Sequence, residues 1–161
     1  MRRLVLTLLF LLVAGCGYYS VSGSLPGHIK TCAVPLFENE TVEPGIVEEI
    51  TDVVIDAIIQ DGTMKVVGEF QADAVVRGTI IDVVDEAEAY SDRTDAEQFR
   101  LRIYAHVQFF DRRQNRSIWE EKRLEGEAAY DPTDLSSRDA AINEALEMLA
   151  RDIINRTVSG W

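Results

Sequence analysis

The chain predicts an α+β domain, a two-layer sandwich in which one mixed sheet of four to five strands is covered on one face by two helices. Three observations carry that prediction. Phe99, Leu101, Ile103, Ala105, Val107 and Phe109 alternate with Arg100, Arg102, His106 and Gln108, the period of a strand with one buried face. Two segments, Ile46–Ile58 and Ile142–Ile153, repeat their apolar residues at helical spacing. The remaining apolar runs are rich in Val and Ile and end in Gly, Pro or Asp, as strands do.

The first strand is expected over Ile29–Phe37, with Pro35 limiting its pairing because proline offers no N–H. Glu38–Glu43 is a turn. Pro44 sits where a first helical residue needs no donor, and Ile46, Ile50, Val53, Val54, Ala57 and Ile58 form the apolar stripe of the first helix. Asp61-Gly62 ends it, glycine being free to take the left-handed conformation of a C-terminal cap. Met64–Val67 is a short strand, and strand–helix–strand implies two parallel neighbours.

Ala72–Ala89 is a long strand interrupted at Gly78, and the irregular register of Ile80, Ile81, Val83 and Val84 predicts a bulge or twist. Tyr90–Gln98 is a polar loop. After the alternating strand, Asp111–Ser117 turns the chain and Ile118–Tyr130 returns as a charged strand. Asp131-Pro132 stops it. Ser136 is expected to cap a second helix, with Asp139 three residues on, and Ile142, Ala145, Leu146, Leu149 and Ile153 form its buried stripe to about Thr157.

The amino terminus has another logic. Arg2 and Arg3 precede the apolar run Leu4–Val13, which closes on Val13-Ala14-Gly15-Cys16, the layout of a secretory signal. The run is well short of the roughly 20 residues needed to span a bilayer as a helix. Its end on Cys16 resembles a bacterial lipobox, which implies a diacylglyceryl group on that thiol, cleavage before it, and an acylated new amine. Residues 1–15 are then a signal peptide, 16–28 an acylated N-terminus and flexible tether, and 29–161 a single domain on the periplasmic side. Gly17, Ser20, Ser22, Gly23, Ser24, Pro26 and Gly27 give the tether little to pack, and Tyr18, Tyr19 and Val21 are its only sizeable side chains before Leu25. Buried methylenes contribute about 0.8 kcal/mol each, so several acyl chains hold without a basic patch. Gly17 follows the cysteine where an Asp would imply inner-membrane retention, so the resemblance implies the outer membrane.

The chain carries 28 acidic and 16 basic side chains. Arg2 and Arg3 leave with the signal, so the mature balance is 14 basic against 28 acidic, or −14. That charge repels phosphate backbones and argues against nucleic acid as a partner. Cys32 has no partner once Cys16 is acylated, and its apolar surroundings read as those of a small buried hydrophobe.

Catalytic chemistry has little to stand on. His28 lies in the tether and His106 on the polar face of a strand. No His/Cys cluster has metal-ligand spacing, no glycine-rich phosphate loop precedes a helix, and no cofactor is implied. Asp82, Asp85, Glu86 and Glu88 lack a calcium-loop pattern and read as a solvated, pairing-resistant strand. No catalytic residue and no metal ligand is assigned.

Cys16 followed by Gly17-Tyr18, then Leu25-Pro26, Val34-Pro35-Leu36-Phe37-Glu38-Asn39, and Thr41, Glu43 and Pro44 before an acidic helix form a connected pattern. After that helix come Asp61-Gly62, Val66-Val67 and Ala72-Asp73-Ala74, which enter the long strand carrying Gly78. Over essentially the whole mature chain this resembles the LPS-assembly lipoprotein (LptE) family. The resemblance implies a non-catalytic lipoprotein that plugs an LptD-like outer-membrane β-barrel, assists its assembly, and takes part in lipopolysaccharide transport. The strand–turn–helix part also resembles LpoB-type activators of peptidoglycan synthases and curli-secretion lipoproteins, which leaves a binding module for another envelope protein as the alternative.

Lipid A carries phosphates, so a contact in so acidic a chain needs a local cluster of cations. Arg112, Arg113 and Arg116 crowd one turn, Arg100 and Arg102 share a strand face, and Arg93 lies in the polar loop. Guanidinium forks match phosphate geometry. Arg112, Arg113, Arg116 and Arg93 are the candidate lipopolysaccharide contacts, against the competing expectation that Glu120, Glu121, Glu125 and Glu127 absorb the charge across strands. Trp119 and Trp161 are candidate anchors for a protein partner.

Overall fold

The computed structural model describes residues 25–88 and 98–159. Its elements are β1 (Thr31–Ala33), β2 (Glu38–Asn39), α1 (Ile46–Asp61), β3 (Lys65–Val66), a 3₁₀ turn (Glu69–Gln71), β4 (Ala74–Glu88), β5 (Gln98–Asp111), β6 (Arg116–Tyr130) and α2 (Leu135–Val158). They build one mixed sheet in the order β3-β1-β4-β5-β6, with β2 also on β4. Two helices cover one face, as the two periodicities predict.

The sheet has six strands because the first expected strand is split. Cys32 and Ala33 pair in parallel with Ala74 and Val75, whereas Glu38 and Asn39 pair with Thr79 and Ile80. Val34 to Phe37, including Pro35, make no ladder pair, in keeping with proline's missing donor. Phe37 drops into the core and its N–H donates to the Thr51 hydroxyl of α1 at 3.1 Å. That hydroxyl in turn donates to the Val47 carbonyl. The Phe37 ring lies against Gly78, where a Cβ would overlap it. Gly78 therefore does not break β4; it makes room for an aromatic ring.

β1 and β3 are parallel across α1, as expected of a strand–helix–strand unit. Gly62 has φ 72° and its N–H donates to the Ile58 carbonyl at 3.1 Å, closing α1 as predicted. The start of α1 differs: Pro44 lies before the helix, and Gly45 is the cap residue at φ 76°. Likewise Asp134, not Ser136, caps α2, its carboxylate accepting the Ser136 N–H at 2.9 Å. The register shift between Ile80 and Asp82 is the predicted bulge. It returns Val83 to the face of Ile80 after the unpaired Ile81.

The core lies between the sheet and the helices. Leu101, Ile103, Ala105, Val107 and Phe109 of β5 are fully buried beneath Ile50, Val54 and Ile58 of α1 and Ala145, Leu146, Leu149 and Ile153 of α2. Each buried Leu or Ile contributes about 1.5–3 kcal/mol relative to exposure. Closest approach is at Gly126 of β6, where a Cβ would meet the Ala145 carbonyl of α2 and stand 2.8 Å from Leu149 Cγ. Trp119 packs at home against Phe109, ring centroids 6.5 Å apart, and is 8% exposed. It is a core residue and not an exposed anchor.

Candidate interaction surface

With α1 and α2 on one face, the alternate residues of β4, β5 and β6 point to the other. This open face holds a charge ladder. Arg100 pairs with Glu88 at 2.6 Å and Glu127 at 3.0 Å. Arg102 pairs with Glu86, with Glu125 at 3.1 Å and with Glu127 at 3.4 Å. Donating hydrogen bonds to the Glu88 and Glu86 carboxylates pushes the Arg100 and Arg102 guanidinium groups, respectively, further above their ordinary range. The expectation that cross-strand carboxylates absorb arginine charge holds for this pair. Arg123 lies over the Tyr104 ring, 3.6 Å from its centroid.

Lower on the same face, Leu36, Glu38, Arg77, Thr79, His106 and Gln108 are among the residues lining an open depression of about 330 Å³. His106 bonds Glu120 at 2.9 Å, and that contact holds the glutamate below its usual range. The depression depends on β2 lying beside β4, a pairing that strand patterning does not specify. Its polar rim was legible only as the outward half of two alternations.

The other notable surface is one end of the sheet, where the β5–β6 turn brings together Arg112, Arg113 and Arg116. Asp111 organises the turn. Its Oδ1 accepts the N–H groups of Arg113 and Gln114, both at 2.9 Å, and its Oδ2 bonds His28 Nε2 at 2.7 Å. Burial pushes the Asp111 carboxyl up, but the Gln114 N–H and the His28 ring together hold it below its ordinary value. Asn115 completes the turn at φ 51°, a conformation asparagine tolerates better than most side chains.

These arginines do not pair with the carboxylates of the returning strand. Arg112 donates to the Glu69 carbonyl and, at 3.2 Å, to that of Ala72. Arg113 meets Asp73 at 2.7 Å, and Arg116 donates to the Gln114 side chain at 2.7 Å. Asp73 is a second hub. It accepts the Lys30 N–H at 2.9 Å, the Thr31 N–H at 3.1 Å and the Thr31 hydroxyl at 2.9 Å. Chiefly the Lys30 N–H, then the Thr31 hydroxyl, lower its carboxyl to about 2. The hairpin is thus tied to the start of the domain, with Phe70 projecting beside it at 96% exposure.

At the opposite end, Arg138 of α2 clamps Glu43 at 3.0 Å and Asp85 at 3.0 Å, joining helix, loop and β4. Asp85, Glu86 and Glu88 are therefore engaged by arginines. Among the described residues no group of three or more His, Cys, Asp or Glu is placed to hold a metal ion. Cys32 is buried, and burial pushes its thiol up to about 12. Cys16, Arg93 and Trp161 lie outside the described residues, as do Tyr18, Tyr19 and Val21.

A model of the LptE family, described as lipopolysaccharide assembly, matches residues 29–157. Among curated proteins no sequence match is found. The fold is similar to that of a minor lipoprotein from Acinetobacter baumannii, at 15% identity and TM-score 0.55, covering 82% of this chain and 92% of that one. It is also similar to protein XCC0632 from Xanthomonas campestris, at 12% identity and TM-score 0.58, covering 84% and 86%. A third likeness is to a hypothetical protein from Chlamydia trachomatis, at 12% identity and TM-score 0.52, covering 80% and 95%. At these identities the solved structures establish the fold. The family match spans every strand and nearly all of both helices, and the chain belongs to the LptE lipopolysaccharide-assembly family.

Proposed function

We propose that this chain is an outer-membrane lipoprotein, acylated at Cys16 and facing the periplasm, that plugs an LptD-like β-barrel and assists its assembly during lipopolysaccharide transport. In this reading residues 1–15 are the signal, 16–28 the acylated N-terminus and tether, and 29–161 the working domain. Membership of the LptE family over residues 29–157 is the observation that carries it. The architecture agrees in kind: a closed, helix-backed core leaves broad faces for contact, and the described histidines are each hydrogen-bonded to a carboxylate. The work is then binding and positioning, with no covalent step and no cofactor.

Arg112, Arg113 and Arg116, with Arg93, are the proposed lipopolysaccharide contacts. Replacing the three hairpin arginines with Ala should weaken lipopolysaccharide binding, measured on variants whose circular dichroism matches the parent. Unchanged affinity in folded variants removes that assignment. The function itself is tested by detergent pull-down of the acylated chain from its native envelope. Co-purification of a large outer-membrane barrel is expected. Capture of a peptidoglycan synthase in its place would transfer the chain to the activator class.

A further inference from the structure

We infer that the open face of the sheet is the face that docks on the barrel wall, with Arg123 stacked on Tyr104 as its central contact, while the outward sides of α1 and α2 add little to the hold. The inference rests on the plug reading and deepens it, because a plug can be held by any of its sides.

Residue type separates the two sides of the domain. Arg77, Arg100, Arg102, Tyr104, Phe110 and Arg123 stand on the open face. Arginine and aromatic side chains are enriched in interface cores and carry much of the binding energy there. The outward positions of the helices hold Glu48, Asp52 and Asp56 on α1 and Asp139, Glu144 and Glu147 on α2, all exposed. Free carboxylates of this kind are depleted in such cores. The open face has carboxylates too, but Glu86, Glu88, Glu125 and Glu127 are bonded to arginines and Glu120 to His106.

Order separates them as well. Arg100 and Arg102 are held by the ladder, Arg77 lies 5.7 Å from the Phe110 ring centroid, and Arg123 lies 3.6 Å from that of Tyr104. Side chains already in place lose little freedom when a partner arrives. On α2 the outward pair Arg151–Glu147 is 60% exposed on both sides, and a pair so open to water holds neither side chain firmly.

The face also has the size and charge of a docking surface. Strands β4, β5 and β6, 15, 14 and 15 residues long, make a patch roughly 50 Å by 15 Å. That is close to the ~800 Å² each partner gives to a standard interface. Tyr104 lies at the middle of β5, where dominant contacts concentrate. Arg123 meets no carboxylate among the described residues, so its charge is left for a partner. The ladder beside it sets Arg100 and Arg102 against four carboxylates and keeps a negative excess. The complementary wall offers an acidic group or carbonyl to Arg123 and basic side chains to the ladder. The polar lumen of a closed barrel can present both, whereas its lipid-facing side cannot.

The test places photoreactive benzoylphenylalanine singly at Val84, Gln108, Asp56 or Glu147 of the full acylated chain and irradiates the native envelope. Val84 and Gln108 lie towards opposite ends of the open face, paired with or next along the strand from its arginines and aromatics. Asp56 and Glu147 are the outward helix controls. Adducts with the heat-modifiable outer-membrane barrel should form at 84 and 108 and be weak at 56 and 147. Arg123→Glu should lower barrel recovery in the detergent pull-down about tenfold or more at unchanged Tm. Glu147→Arg should leave recovery unchanged.

Barrel adducts as strong at 56 and 147 as at 84 and 108 overturn the inference and leave the plug reading standing. So does an adduct at 84 or 108 with a second copy of the chain in place of the barrel. Full barrel recovery by a folded Arg123→Glu variant overturns Arg123 as the central contact. Absence of barrel adducts at all four positions, together with no barrel in the pull-down of the parent chain, overturns both readings.

Discussion

Gly126→Ala decides how closely α2 is pressed on the sheet. A glycine within a strand ordinarily weakens it, and replacement by Ala where space allows stabilises by about 0.4–1 kcal/mol through the unfolded chain. At Gly126 the space is taken. The added methyl would overlap the Ala145 carbonyl oxygen, with Leu149 Cγ at 2.8 Å and the Ala145 carbonyl carbon at 3.0 Å. The obstruction is helix backbone, so no rotamer change relieves it. Relief needs α2 to withdraw from β6, which opens gaps around Ala145, Leu146 and Leu149, all fully buried. Overpacking of this kind costs about 1–3 kcal/mol. For a domain of this size each kcal/mol moves Tm by about 4 °C, so thermal unfolding should fall by about 4–12 °C. Gly68→Ala is the internal control, since nothing lies within 4 Å of a Cβ there and its φ of −62° suits alanine. That variant should unfold at or slightly above the parent temperature. If Gly126→Ala is as stable as Gly68→Ala, the helix does not sit where the argument requires, and the account of the core is wrong.

Two further outcomes concern single groups. The Asp73 carboxyl lies at about 2, below its ordinary 3.8, so the folded state holds its proton less readily than the unfolded chain. Its contribution to stability is present above about pH 4 and drains as the pH falls toward 2. Asp73→Asn should flatten that stretch of the acid-denaturation curve; an unaltered curve would remove Asp73 as a determinant of acid stability. Cys32, held at about 12 by burial, should resist thiol reagents at pH 8 in the native state. In denaturant one thiol per acylated chain should then react, and two would show that Cys16 carries no lipid.

The sheet-forming segments and both helices were legible because each is a local periodicity. Alternation over Phe99–Phe109 and the stripes of α1 and α2 require only that each element bury one side. Gly62 announced a helix end because its neighbours already formed the helix. The differences lay at boundaries: Pro44, expected as the first helical residue, lies before the cap Gly45, and Asp134 takes the cap position expected of Ser136. What pairs with what was far less visible. Arg112 and Arg113 look like partners for the glutamates of the next strand, yet they bind carbonyls and Asp73, some 40 residues earlier in sequence.

From its residues alone, this chain declared a strongly acidic α+β domain with a helix-covered sheet, and its motifs carried the family resemblance, with the secretory signal and lipid anchor as what that resemblance implies. Only the tertiary structure decided that β2 resumes the edge of β4 beyond Pro35, that Phe37 rests on Gly78, and that Phe70 stands beside the hairpin arginines. Periodicity encodes which side of an element avoids water, a property each segment has by itself. Close approach of backbones and the grouping of surface cations depend on registers between segments far apart in sequence, and no local pattern contains them.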